Sequence, residues 1–323
     1  ARMSAMTTRF QVNRTNIRER RTIEEPTRPL EAGEVRVTVE SFALTANNIT
    51  YAAAGDMLGY WDFFPVDLPW GHVPAMGHGT LIESANPDIA EGGRYFGFFP
   101  MADEHVFLAK ATEGGMWDAR DNRVAHAPAY RQFTDLAQDP THDPAREDHV
   151  ALLRGLFMTS FLAEDLLDDN GYFGAEATLV TSASSKTSIA LGYCLQKRGA
   201  HSVAFTSAGN LDFVQRLGCY DEVLTYDQVG ELDPDRPSAL VDMAGNASVQ
   251  SAIHHHFADN LKYSCAVGAS HWEEFGAGTG EALPGPAPEF FFAPGQIEKR
   301  NTEWGDGEVM RRMGQQWADY VVF

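Results

Sequence analysis

Val35, Val37 and Val39 alternate with polar neighbours through residues 33–45. That period of two predicts a half-buried strand. Short strands are predicted again at 79–84 and 94–99, separated by the turn signal Asn86-Pro87-Asp88. Regular short strands with turns between them predict a small all-β barrel or sandwich. Residues 55–80, rich in Gly, Pro and aromatic side chains, read as a loop. The polar stretch 111–148, with prolines at 128, 140 and 144, reads as irregular.

The period changes near residue 149. Leu152, Leu153, Leu156, Phe157, Phe161, Leu162 and Leu166 fall on one helical stripe and predict a long helix over 149–168. Strand and helix patterns then alternate: strands over 177–181, 202–206, 222–226, 239–243 and 263–267, helices over 187–198, 210–217 and 247–259. Such alternation predicts a parallel, doubly wound sheet. Gly199 is placed to end the first of these helices. Residues 276–295 hold five Gly and four Pro, which predicts a loop, and a last helix is predicted over 307–320.

The 323 residues, 44% of them apolar, suffice for two packed domains. With 45 acidic against 25 basic residues the formal charge is −20, which opposes a nucleic-acid or anionic-membrane partner. No apolar run approaches a membrane span, and Ala1–Arg14 lacks the apolar core of a secretory signal, so a cytoplasmic location is expected. Cys194, Cys219 and Cys265 are far apart and read as buried free thiols, without a CxxC pair for structural zinc.

Candidate chemistry gathers first at Thr178-Leu-Val-Thr-Ser182-Ala-Ser-Ser185-Lys186-Thr-Ser188, between a predicted strand and helix. A helix N-terminus there offers free N–H groups and a positive dipole end to a pyrophosphate. The dinucleotide fingerprint has glycine at the tight turn, the phosphate approach and the helix–strand contact. Serine stands at all three: Ser182, Ser185 and Ser188. A plain polar turn capped by serine is the alternative. The second strand ends in Thr206-Ser207, without the acid that would hold the ribose hydroxyls of NAD. NADP(H) is therefore the expected cofactor, with Lys186 as its charge partner. His254-His255-His256 cannot chelate as one unit, since adjacent helix residues point apart, and reads as a surface helix face.

Several stretches resemble the zinc-free quinone oxidoreductase branch of the medium-chain dehydrogenase/reductase superfamily. They are Phe157-Met-Thr-Ser-Phe161, Leu217-Gly218-Cys-Tyr-Asp221, Val241-Asp242-Met-Ala-Gly245 and Ala266-Val-Gly268 in the nucleotide half. In the other half they are Phe42-Ala-Leu-Thr-Ala-Asn47-Asn48 and Glu91-Gly-Gly93-Arg94-Tyr-Phe-Gly97. The resemblance covers about residues 30–320. The phrases around Thr45–Tyr51, Tyr60–Pro65, Ser182–Ser188 and His271–Trp272 are similar to an uncharacterised bacterial branch, a domain of unknown function.

This resemblance implies an α/β protein: a GroES-like β-barrel catalytic domain at 1–150, completed by 290–323, and a Rossmann-type domain at 151–289. It implies Gly245 and Gly268 as further cofactor-binding positions. Catalytic zinc is not expected, because no cysteine precedes Cys194 and Gly77-His78-Gly79 lacks the glutamate of the zinc enzymes. Tyr51 and Tyr60 are candidate proton donors, Asn47 and Asn48 candidate holders of a substrate oxygen or the nicotinamide amide. His271 is a candidate acid–base group at the carboxyl end of the sheet. The implied activity is NADPH-dependent reduction of a conjugated carbonyl compound or quinone, a small-molecule substrate, by a chain that can form a homodimer. A non-redox lyase, isomerase or carbon–carbon cleaving enzyme, and a non-enzymatic nucleotide-binding protein, are the alternatives.

Overall fold

A computed structural model describes residues 6–126, 128–243, 245–267 and 283–323. The chain divides into two units, Ala1–Leu152 and Leu153–Phe323.

In the first unit, β1 (Met6–Asn13) and β2 (Asn16–Pro26) form an antiparallel hairpin. β3 (Glu34–Phe42) follows, then the short helices α1 (Ala46–Ala53) and α2 (Gly55–Leu58). β4 (Trp70–Gly71) pairs back onto β1. β5 (Pro74–Ser84), β6 (Arg94–Pro100), β7 (Glu104–Thr112), β8 (Gly115–Asp118), α3 (Pro128–Arg131) and β9 (Gln132–Asp135) come next. The order β3-β5-β6-β9-β8-β7 closes into a barrel. Closure pairs every edge that an open sheet would leave exposed. Val35, Val37, Leu81, Phe99, Phe107, Met116 and Phe133 fill the interior.

The barrel corrects two expectations. Residues 55–80 are not one loop, since they hold α2, β4 and the start of β5. Residues 111–148 are not irregular throughout, since they carry β8, α3 and β9. Four residues are too few for an alternation to stand out, and both β8 and β9 have that length.

α4 (Glu147–Asp169) begins in the first unit and continues into the second. There β10 (Ala177–Val180), α5 (Lys186–Arg198), β11 (Ser202–Thr206), α6 (Leu211–Leu217), β12 (Glu222–Thr225), β13 (Ser238–Asp242), α7 (Ala247–Phe257) and β14 (Leu261–Ala266) follow the predicted alternation. With β15 (Glu289–Phe290) they form a parallel sheet of order β12-β11-β10-β13-β14-β15. Leu179, Val203, Phe205 and Leu240 are fully buried in it, and Ile253 and Phe257 of α7 pack against them. Gly199 ends α5 in the left-handed region at φ 78°, where glycine has no steric cost.

Within 276–295, expected as loop, α8 (Ala293–Trp304) already begins; α9 (Glu308–Tyr320) is the expected last helix. Residues 290–323, expected to complete the first domain, pack on α4 within the second unit. Trp317 and Tyr320 lie 5.5 and 4.8 Å from the Phe157 ring, and Arg300 pairs with Asp165 at 2.7 Å.

Candidate functional site

The second unit holds the strand–turn–helix between β10 and α5. Ser182 turns the chain with φ 51°, a left-handed conformation that glycine adopts freely and serine does not. Ser185 is the N-cap of α5, and its hydroxyl oxygen accepts from the Ser188 N–H at 3.1 Å. By helix geometry the N–H groups of Lys186 and Thr187 open from the same end. Lys186 is exposed. Ser188 is fully buried, and its hydroxyl donates to the Thr181 carbonyl at 2.8 Å. Ser188 therefore fastens helix to strand from inside and accepts the Ser185 hydroxyl hydrogen at 2.8 Å, while Ser182 and Lys186 lie at the open end.

Around this turn the other strand ends converge. Thr206 is buried, whereas Ser207 is exposed beyond β11. Asn210 reaches across to donate to the Ser184 hydroxyl at 3.1 Å. No acidic residue stands between Thr206 and Asn210. At the end of β13, buried Asp242 accepts from the Thr181 hydroxyl at 2.6 Å, and that hydroxyl accepts from the Met243 N–H at 3.0 Å. Gly245, at φ 70°, donates its N–H to Asp242 at 3.3 Å. The carboxylate thus ties β13 to the turn after β10. Gly268 and His271, named from the sequence, lie outside the described residues.

The first unit gathers a second group of candidates. The Tyr51 and Tyr60 ring centroids are 4.5 Å apart, with Phe63, Phe98 and Tyr130 packed around them. The Tyr60 and Tyr130 hydroxyls are 3.1 Å apart. Burial raises the pKa of Tyr51, Tyr60 and Tyr130, so all three keep their protons at neutral pH. Asn48 has a different task. Its Oδ1 accepts from the Thr45 N–H at 2.7 Å and its Nδ2 donates to the Pro74 carbonyl at 2.9 Å. Both ends of its amide are spent on starting α1 and tying it to β5. Tyr130, in the polar stretch read as irregular, was not singled out from the sequence; no local signal marks it.

Gly77-His78-Gly79 has a steric explanation. A Cβ at Gly77 would lie 2.2 Å from the Ser41 carbonyl oxygen, and one at Gly79 2.6 Å from a Val37 methyl. Both glycines let β5 approach β3. His78 between them is 1% exposed and is held neutral by burial. The histidine triplet diverges. His254 is buried, not on a surface face, and bonds the Pro284 carbonyl and the Ser264 hydroxyl at 2.9 Å each; His256 bonds the Leu232 carbonyl at 2.9 Å. Among the described residues no group of three or more His, Cys, Asp or Glu could hold a metal ion, and no helix is long and apolar enough to cross a membrane. The three cysteines are buried free thiols, with Cys219 pushed up to about 11 and Cys265 to about 12 by desolvation.

A family model described as "Protein of unknown function (DUF2855)" matches residues 42–322. No curated protein matches. Solved structures share this chain's fold at low identity. CurA from Vibrio vulnificus is 12% identical with TM-score 0.61, covering 98% of this chain and 88% of its own. A mutant form of enoyl thioester reductase from Candida tropicalis is 11% identical with TM-score 0.56, covering 98% and 89%. CurA has also been solved in complex with NADPH, at 13% identity, TM-score 0.56, and coverage of 97% and 89%.

Proposed function

Since the chain belongs to the family described as protein of unknown function DUF2855 and carries the medium-chain dehydrogenase/reductase fold, we propose that it is an NADPH-dependent reductase of a conjugated carbonyl compound or quinone. The observation that carries this reading is the turn from Thr181 to Ser188. It joins a parallel strand to a helix N-terminus at the carboxyl edge of the sheet, where this architecture places dinucleotide phosphates. The residues present fit that group. Ser182 already adopts the glycine conformation, the first-turn N–H groups are oriented outward, and Lys186 is exposed beside them. Ser207 and an acid-free strand end leave room for a 2′-phosphate. CurA, which shares the fold, binds NADPH.

When bound, NADPH supplies a hydride. The chain's own part is to hold the phosphates at Ser182, Ser185 and Lys186, with Gly245 closing the neighbouring strand end. Tyr51 or Tyr60 is the candidate proton source in the first unit, and Asn48 builds the helix that carries Tyr51. His271 is kept as a further acid–base candidate, and a soluble homodimer as the working assembly. Steady NADPH oxidation dependent on an enone or quinone tests the reading. One observation favours a non-redox lyase or isomerase: Ser185 stands where a glycine ordinarily lets a pyrophosphate approach closely. Absence of dinucleotide binding would move the assignment there. Binding without turnover of any carbonyl substrate would favour a nucleotide-binding protein.

A further inference from the structure

Resting on the reductase reading above, we infer that Thr181 and Asp242 are positioning residues: together they hold Ser182 in the left-handed turn against which the dinucleotide phosphates bind. In the sheet order β12-β11-β10-β13-β14-β15 the chain runs one way from β10 through β11 to β12, and the other way from β13 through β14 to β15. The order therefore reverses between β10 and β13. Doubly wound sheets bind their ligands outside the carboxyl ends of the two strands at that reversal. The main-chain ladder joining these strands runs from Ala177 opposite Ser238 to Val180 opposite Val241, and it ends on the Thr181 N–H, which donates to the Val241 carbonyl at 3.2 Å. Beyond it the side chains carry the joint one step further. The Thr181 hydroxyl donates to Asp242 Oδ1 at 2.6 Å, the length of a charge-assisted O–H bond.

Every polar group of Thr181 is engaged. Its carbonyl accepts from the Ser188 hydroxyl at 2.8 Å, and its own hydroxyl accepts from the Met243 N–H at 3.0 Å. The residue is buried and fixed by β13, by the turn after β13 and by α5. Ser182 follows directly, with φ 51°. A residue other than glycine keeps that conformation only where its surroundings over-determine it. The peptide between the two residues is fixed on both edges, since the Thr181 carbonyl takes the Ser188 hydroxyl and the Ser182 N–H donates to the Tyr226 hydroxyl at 3.2 Å.

Asp242 acts on both sides of the reversal. Besides the Thr181 hydroxyl, its Oδ1 accepts the Gly245 N–H at 3.3 Å. One carboxylate oxygen therefore sets the turn after β10 and the turn after β13 relative to each other. Were strand pairing the only task of this contact, the ladder from Ala177 to Val180 would already meet it.

The test measures NADPH binding to the full chain by fluorescence titration, beside thermal unfolding. Thr181→Val, equal in shape but without the hydroxyl, should weaken NADPH about tenfold, the scale of one charge-assisted hydrogen bond. Thr181→Ser, which keeps the hydroxyl, should regain most of that loss. A lower unfolding temperature with an unchanged dissociation constant would make the pair merely structural and overturn the inference. Ser182→Gly supplies an internal control, because glycine enters the left-handed region without steric cost. In that background Thr181→Val should cost only about threefold; an equal loss in both backgrounds would show that the pair does not act through Ser182, and overturns it as well. Asp242→Asn carries the same comparisons if the valine chain does not fold.

A wild type that binds no dinucleotide removes the reductase reading and leaves the pair to a measurement without ligand. Thr181→Val should speed hydrogen exchange at the Ala183 and Ser185 amides, which donate to the Phe205 and Ser182 carbonyls, and not at Leu179 within β10. Unchanged exchange at those two amides overturns the pair whether or not a cofactor binds.

Discussion

The hydroxyl of Ser188 donates to the main-chain carbonyl of Thr181 at 2.8 Å, from the first turn of α5 to the end of β10. In the glycine fingerprint this position is bare so that helix and strand can touch. Here a buried hydroxyl makes the contact. Ser188→Gly restores the fingerprint residue, yet it removes two hydrogen bonds, to the Thr181 carbonyl and from the Ser185 hydroxyl, and places glycine in a helix. The expected cost is about 2–4 kcal/mol, from roughly 1 kcal/mol of helix propensity and the lost bonds. Urea unfolding of the two proteins measures it; an unchanged midpoint would show that the bonds carry no net stability.

Ser182 answers the opposite way. Its φ of 51° costs an L-residue about 1 kcal/mol that glycine does not bear. Ser182→Gly should stabilise the chain by about 0.5–1 kcal/mol, the remainder being offset by glycine's greater freedom when unfolded. Thermal unfolding with Ser182→Ala as the second variant separates conformation from hydroxyl. Glycine less stable than alanine would contradict it.

The second unit was the more legible in the sequence because its central strands are buried on both faces. Ala177–Val180 and Ser202–Thr206 read as continuous buried runs, and Gly199 closes α5 as expected. Other elements were harder. β2 is Asn-Ile-Arg-Glu-Arg-Arg-Thr-Ile-Glu-Glu-Pro, mostly exposed and charged, with no apolar alternation to read. α8 opens on Ala-Pro-Gly, which locally signals a turn. At the site, the three serines look equivalent in sequence, and only the structure separates buried Ser188, bonded to Thr181, from the cap Ser185 and the left-handed Ser182. Asn48 likewise looks free until its amide is seen bonded to Thr45 and Pro74. Tyr130 meets Tyr60 across 70 residues, a relation no local pattern contains.

His72 makes the first unit acid-sensitive. It is 4% exposed; one ring nitrogen faces the Phe10 carbonyl at 3.1 Å and the other the Gln11 amide nitrogen at 3.3 Å. Gln11 is oriented by Arg21, which donates to its Oε1 at 2.8 Å, so the amide N–H must donate to His72. A protonated ring would oppose donor to donor, and burial with the nearby Arg9 and Arg21 charges lowers its pKa from 6.5 to about 4. A depressed folded pKa means that the unfolded chain binds the proton first. Stability is therefore full above pH 6.5 and falls toward pH 4, by about 1.4 kcal/mol per unit for one proton. His72→Asn should flatten the dependence of the urea midpoint across that window by about one proton's slope. His105, also buried and pushed down, leaves a residual slope. An unaltered slope in the variant would assign the acid sensitivity elsewhere.

Lys186 decides the cofactor reading. It is the first residue of α5, exposed at the end where the turn N–H groups open, one residue past the cap Ser185. A phosphate held there would meet a positive charge, the helix dipole and the Ser182 hydroxyl together. Ser207 stands where an NAD site places an acid, so a 2′-phosphate meets no repulsion at the end of β11. NADPH should therefore bind more tightly than NADH, and Lys186→Ala should weaken NADPH by about 1–2 kcal/mol, the scale of one charge-assisted hydrogen bond. If Lys186 contacts the 2′-phosphate, the loss for NADH is smaller; if it contacts the shared pyrophosphate, both dinucleotides lose alike. Fluorescence titration of both cofactors against both proteins resolves this. Equal wild-type affinities would refute the preference, and an unchanged NADPH affinity in a folded Lys186→Ala protein would remove the lysine from the phosphate site.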